Sequence, residues 1–498
     1  MTPYSTVVPL LPANLAPYLS LVEQQRVASY GVYQSIYWNV PNAFKLVQRG
    51  SQSNPIYVPV ARTLIDTVDR YVGANFSWTV DALTAPDTEI AVATEAFRSL
   101  FVRERFPSKY DANKLFGLIN GDWCWHILAD GDKPEGTRIT IRSIDPGMVF
   151  KITAPDDVDK LLGYDLIEQF QDGDKTRLKI QRYTKGLDPI NKPDPKDTLI
   201  YTSLQIWDID EYTKGSAGKP VRLDSPLAPL PPQITALPVY HIPNFETPGD
   251  PWGSSELRGY EGVLAAVNQA ISDEDLALAL EGLGIYATDS GAPIDAVTKQ
   301  PTNWKLGPGR VVEKGVGTSF ERVNGVGSVT PYMDHLAFLV NSLKESSGAT
   351  DAAAGKVDVT VAESGIALVM QIGPMLAKAR KKDTIISDVH SQMFHDLKGW
   401  LQAYESINIP VAEVVPVFGD KLPVNKSGEV KDILSIVGVM PQLAVIGWAT
   451  RQLQKLGYDF TPEEITLLAQ QQAADAAAQA EADRVGTELN AAPQEETP

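Results

Sequence analysis

A chain of 498 residues with 43% apolar content holds more material than one core can use and enough for two to four folded units. Its formal charge of −18 argues against a tight grip on nucleic acid, which needs clustered Lys and Arg to neutralise phosphates, but not against DNA sliding past. The single cysteine, Cys124, excludes an intrachain disulfide and a zinc cluster; with no basic leader and no apolar run of about 18 residues, the chain reads as a soluble intracellular product without a membrane span.

In chain order, residues 1–13, with Pro3, Pro9 and Pro12, read as an extended arm. Helix signals follow at 14–38 with Asn14 as cap, at 59–73 with Leu64, Ile65, Val68 and Tyr71 inward, at 87–106 and at 108–120. From Asp122 the period changes to two: Trp123, Trp125 and Ile127 alternate with Cys124, His126 and Leu128, and Ile139, Ile141 and Ile144 follow a turn, which is hairpin grammar. Strand-like runs continue at about 145–153, 161–170, 176–184, 198–213 and 237–242, so residues 1–245 read as one α+β region with a mostly antiparallel sheet. Ser225–Gln233 reads as a proline-rich connector, and 238–251 as a loop.

Ser254 or Ser255 can cap a helix reaching to 282, about 28 residues or roughly 42 Å. Leu257, Tyr260, Leu264, Val267, Ile271 and Leu278 form a narrow apolar stripe suited to helix-on-helix packing. Its other faces are acidic, with Glu256, Glu261, Asp273, Glu274, Asp275 and Glu281 against the lone base Arg258. A β-pattern with Gly pairs occupies 283–330, and a second helix, 331–346, follows with Met333, Leu336, Val340 and Leu343 inward. Residues 349–359 are small and weakly patterned and read as a flexible loop. Thr360 and Glu363 form a capping box that opens a helix to about 405, with Gly373-Pro374 expected to kink it and Lys378, Arg380, Lys381 and Lys382 as its basic cluster. A strand at 412–418 could return to the first region's sheet, and helices follow at 428–437, 441–456 and 462–485 before a tail at 486–498 that looks disordered.

No pattern of an enzyme stands out. His390 and His395 lie five apart on different faces of a helix, and the other histidines, His126, His241 and His335, are scattered, so structural or surface roles are expected. Asp130–Glu135 lacks the third ligand and the glycine of a calcium loop, and Cys124 reads as a buried inert thiol. Asp273, Glu274 and Asp275 could serve an acidic metal-dependent hydrolase, but consecutive helical residues point in three directions, which favours a solvated or channel-facing surface.

The order of elements, with the stretches Trp252–Arg258, Asn268–Leu276 and Ala362–Leu368, resembles the portal proteins of tailed bacteriophages, in particular those of phages of actinobacterial hosts. The resemblance implies an α+β subunit divided into a wing (1–250 with 363–420), a stem (251–282 and 331–346), a clip (283–330), a tunnel loop (347–362) and a helical crown (421–485). It implies a ring, expected to hold twelve subunits, at one capsid vertex of the virion, assembled in the host cytoplasm and passing double-stranded DNA. Expected partners are the terminase large subunit, the head-tail adaptor and the major capsid protein, with no catalysis, cofactor or metal. Ala349, Thr350, Lys356, Val357 and Thr360 would then stand in the tunnel loop, the six stem acids would form an unsticky wall, and Trp304, Lys305 and Arg310 would meet partners at the clip. Another ring-forming virion protein, such as an adaptor, is the nearest alternative.

Overall fold

The computed structural model describes residues 21–41, 43–47, 55–81, 85–154, 156–189, 194, 196–212, 219–283, 285–289, 292, 294–295, 297–301, 317, 319–323, 330–356, 365–419, 421, 433–434, 436, 449 and 464–471. The chain divides into a unit spanning Met1–Gly419 and a second spanning Asp420–Pro498. The expected caps Asn14 and Thr360 lie outside the described residues, as does most of 428–456. In the second unit a helical segment covers 464–471 and buries Ile465 and Ala469.

The first unit mixes helices with antiparallel sheets, and its elements start where local chemistry allows. Helix α1 (Leu21–Tyr37) precedes α2 (Val60–Tyr71), whose Leu64, Ile65 and Val68 are buried as their spacing requires. A short strand β1 (Ser77–Val80) leads to α3 (Asp87–Arg103) and α4 (Phe106–Asn120). Helix α4 ends on Gly121, left-handed at φ 104°, whose N–H returns to the Gly117 carbonyl. A Cβ at Gly121 would stand 2.5 Å from the Ser254 carbonyl carbon, so glycine is required there by both backbone angle and space.

Strands β2 (Asp122–Ala129) and β3 (Ile139–Ile144) form the expected hairpin. After a 3-10 turn at Pro146–Met148 come β4 (Val149–Ala154), β5 (Asp157–Asp172), β6 (Lys175–Lys185) and β7 (Ile200–Asp208). A helical turn α5 (Ile209–Tyr212), β8 (Arg222–Pro229) and β9 (Val239–Pro243) complete this region. They make two antiparallel sheets, β3-β2-β9 and β4-β5-β6-β7-β8. The expected proline-rich connector is therefore corrected in part: its first residues belong to β8, an edge strand. Prolines are tolerated because the ladder skips Pro226 at a register shift, pairing Leu204 with Ser225 and Thr202 with Ala228.

Helix α6 (Glu261–Leu283), the antiparallel pair β10 (Ile285–Thr288) and β11 (Phe320–Val323), and α7 (Thr330–Ser347) follow. Helix α8 (Gly365–Glu405) continues through Pro374 for 41 residues, about 60 Å. The return strand β12 (Val414–Val417) pairs with β1 as a separate two-stranded ribbon, Ser77 opposite Val417, and joins neither larger sheet.

The core gathers aromatic rings around His390 of α8. Phe106 stacks on Trp125 at 4.9 Å, and Phe76, Tyr110, Trp123 and Phe394 surround the imidazole. Trp125 Nε1 donates to His390 Nε2 at 3.1 Å, and the other ring nitrogen donates to the Ile386 carbonyl at 2.7 Å. Burial pulls the His390 pKa down to about 4, so the ring is neutral in the fold. Cys124 is fully buried, and burial pushes its thiol pKa up.

Because the folded pKa of His390 lies below the unfolded value of about 6.5, the unfolded chain takes up the proton first on acidification. This contribution to stability is present above pH 6.5 and is lost as pH falls toward about 4. Urea unfolding from pH 7 to pH 4.5 is expected to show the loss. His390→Phe should be about 1–3 kcal/mol less stable at pH 7, where Trp125 Nε1 loses its acceptor, yet show a shallower pH slope. An unchanged slope would refute the assignment.

Candidate functional site

The acidic helical pair begins later than its sequence suggests. Residues 256–260 form turns, Gly259 sits at φ 90°, and α6 starts only at Glu261, whose carboxylate accepts from the Gly259 N–H at 2.7 Å and from Tyr33 Oη at 2.9 Å. The expected cap residues are committed elsewhere: Ser255 Oγ donates to the Ile119 carbonyl, and the Glu256 N–H donates to the Leu118 carbonyl. Hence the expected start at 254 or 255 is corrected.

Glu256 also leaves the expected acidic wall. It is 2% exposed and forms ion pairs with Lys378 and with Lys382, the latter at 2.9 Å, both from α8. Burial alone would raise its pKa, but the two ammonium groups outweigh that and hold the carboxyl below its ordinary range. Lys382 also donates to Asn244, both at its backbone carbonyl (3.3 Å) and at its side-chain oxygen. The basic cluster is thereby split, with Lys378 and Lys382 turned to this joint and Arg380 and Lys381 exposed.

A second buried carboxylate lies beside it. Asp122 accepts from Tyr30 Oη at 2.5 Å, His241 Nε2 at 2.6 Å and the Gly253 N–H at 2.6 Å. Burial pushes its pKa up, and these donors reverse that to a net lowering. Lys151 donates to His241 Nδ1 at 3.0 Å, leaving Nε2–H for Asp122, while the Arg26 guanidinium lies 3.8 Å from the Trp252 ring centre. Lys151, His241 and Trp252 border a cleft of about 850 Å³ between β4, the 246–252 loop and Lys381 and Asp388 of α8. Sequence reading missed this junction because its members are scattered over the chain.

Along α6, Leu264 and Val267 of the apolar stripe are buried, while Leu278 is 50% exposed. Asn268, Gln269 and Ser272 hold backbone groups from the first region: Asn268 Oδ1 accepts from Val58 N, Ser272 Oγ from Ile56 N, and Gln269 bonds both backbone groups of Val47. A run of Asn, Gln and Ser at spacings of one and four on a helix was the available signal. Asp273 accepts from Gln269 at 2.9 Å, Asp273 and Glu274 are half-buried and Asp275 is exposed. Among the described residues no three His, Cys, Asp or Glu side chains are placed to hold a metal ion. The placement of the Glu281 side chain, Trp304, Lys305, Arg310, Val357 and Thr360 lies outside what is described.

On α7, Leu343 is buried and Leu336 and Val340 half-buried, but Met333 is 58% exposed, correcting its expected inward position. Tyr260 Oη donates to the Ser346 carbonyl, tying the approach to α6 to the end of α7. Beyond α7 the described part of the expected loop is folded. Residues 351–355 make turns closed by Ala354 N to Thr350 O and Lys356 N to Asp351 O. Ala349, Ala352 and Ala353 are buried, and Tyr71 of α2 donates to the Ala353 carbonyl at 3.0 Å. Thr350 is half-buried and Lys356 exposed.

No protein-family model matches this chain, and no curated protein matches it. Among solved structures it is similar to the neck of a native gene transfer agent particle computed with C12 symmetry, at 12% identity and TM-score 0.40, covering 76% of this chain and 86% of that one. The neck of an empty gene transfer agent particle computed with C6 symmetry gives 13% identity and TM-score 0.42, over 81% of this chain and 91% of that one. The virion of a native gene transfer agent particle gives 13% and 0.40 over the same shares.

Removing one partner from a buried ion pair strands the others. Glu256→Ala should cost about 3–5 kcal/mol in urea unfolding, and Asp275→Asn, on the exposed face of α6, less than about 0.5 kcal/mol. Equal costs would contradict the separation of Glu256 from the surface acids.

Proposed function

We propose that this chain is the subunit of a phage-type portal, a ring at one capsid vertex through which double-stranded DNA is packaged and ejected. The observation that carries the reading is the helical pair α6 and α7, joined through β10 and β11 and leaving Leu278, Met333 and Phe338 exposed on the single chain. Apolar surface of that kind on paired helices calls for a further protein face, and head-to-tail contacts between identical subunits close into rings. The surplus of acid on α6, Asp273, Glu274, Asp275 and Glu281, fits a conduit that repels phosphates. Low friction serves such a channel better than affinity.

In this reading the body of the first unit is the wing, α6 and α7 the stem, residues 283–330 the clip and 421–485 the crown. The terminase large subunit and then the head-tail adaptor dock at the clip, where Trp304, Lys305 and Arg310 are the proposed contacts, and the wing faces the major capsid protein. Lys356, exposed beyond α7, is the proposed phosphate neighbour in the channel, beside Thr350, Val357 and Thr360. Ala349 is buried and is left out of the proposed contact. The hydrolase reading is disfavoured because Asp273 is hydrogen-bonded to Gln269 and its two acidic neighbours project about 100° and 200° away around the helix.

Negative-stain imaging and native mass measurement of the purified protein should show a ring of about twelve subunits with an axial hole. A monomer with divalent-dependent hydrolysis would overturn the proposal. Lys356→Ala should leave ring assembly intact while lowering the amount of DNA packaged; loss of the ring itself would remove Lys356 from the channel.

A further inference from the structure

Phe338 is the most exposed large apolar side chain on α7, at 65%, and stands one turn from Asp334 and two turns from Glu345 on the same face. Its ring is thus an apolar knob with an acidic rim. About 160° around the helix from it lies Val340, which faces the other way into an apolar crevice. That crevice is formed by Val60 and Leu64 of α2, Val340 and Leu343 of α7, and Ala349 of the folded segment beyond. Its free volume is about 90 Å³, matched to a single side chain rather than to a ligand. Lys344 and Lys356 edge it, and Arg70 reaches the neighbouring Ala354 carbonyl; Asp351, paired with Lys344 at 2.8 Å, is the acid among the lining residues. The rim of the crevice is therefore net basic.

We infer that Phe338 of one copy of this chain seats in the α2–α7 crevice of the next copy, with Asp334 and Glu345 meeting the basic side of the rim at Lys344 and Arg70. A knob and a hole of opposite charge on opposite faces of one helix cannot satisfy each other within a two-fold pair. They repeat head to tail, which is the geometry of a ring or a filament. The apolar insertion supplies the affinity, and the rim charges set which face meets which. This inference rests on the ring reading and narrows it to one contact.

The tests are chosen to separate the two. Phe338→Ala, whose circular dichroism should match the parent because the residue is exposed, should raise the concentration for half-assembly about tenfold to a hundredfold by sedimentation velocity. Arg70→Ala, which removes a rim charge only, should change it less than about threefold. Cys124 is buried away from solvent-borne reagents, so Phe338→Cys combined with Thr63→Cys at the crevice edge can be probed with a short bismaleimide. The double variant should give a ladder of cross-linked species up to the closed ring, and Phe338→Cys alone should stay a single chain on a denaturing gel. If the parent forms rings but Phe338→Ala assembles unchanged, or Phe338→Cys alone cross-links to itself, the contact is wrong and the ring stands. If the parent stays monomeric at every concentration, both fail.

Discussion

Two carboxylates shut away from water, Asp122 and Glu256, fix how the body of the first unit holds its helical pair. A buried carboxylate costs several kcal/mol unless its charge is balanced and its oxygens receive donors, so each one dictates what must surround it. Asp122 draws in Tyr30 from α1, His241 from β9 and the Gly253 N–H, and Glu256 draws in Lys378 and Lys382 from α8. Asn244 closes the junction: its N–H donates to the Gly121 carbonyl, and its side chain donates to the Ser254 carbonyl and accepts from Lys382. The chain therefore approaches α6 already fastened on three sides.

Helix α8 distributes this constraint through the unit. Near its first third it supplies the two lysines to Glu256, in its middle His390 organises the aromatic core, and toward its end Lys398 donates to Glu413, just before β12. Two of these three attachments are charge-assisted, and the third leaves a neutral imidazole in a ring of aromatics. A change of charge at any of them is felt where elements from distant parts of the sequence meet.

Much of this was legible in advance where burial follows a local period. The alternation around Trp123–Ile127 and the spacing of Leu64, Ile65 and Val68 predicted β2 and α2, although β2 turns out to be buried on both faces and only α2 on one. The helix start at Ser254 or Ser255 failed for the opposite reason. By local rules two serines before a glutamate look like a cap and an acidic first turn, and the competing claims of Ile119, Leu118, Lys378 and Lys382 on those residues come from over a hundred positions away. Residues 349–356 read as a free loop from their small side chains, whereas those same alanines are small enough to pack closely against α2. The polar clamp of Asn268, Gln269 and Ser272 left its own run of polar residues in the sequence, but what it holds is backbone, which leaves no mark in composition. Of the candidate site, the helical pair and its surplus acid were visible, and the joint that sets its position was not.

Strand β8 lies at the margin of the five-stranded sheet, and two of its eight residues, Pro226 and Pro229, have no amide hydrogen to offer. A neighbouring molecule arriving along that margin cannot zip onto a complete row of donors. Copies of this chain crowded together are thus denied an indiscriminate backbone adhesive at that border, and association there is left to side chains, whose shapes and charges can tell a correct neighbour from an incorrect one.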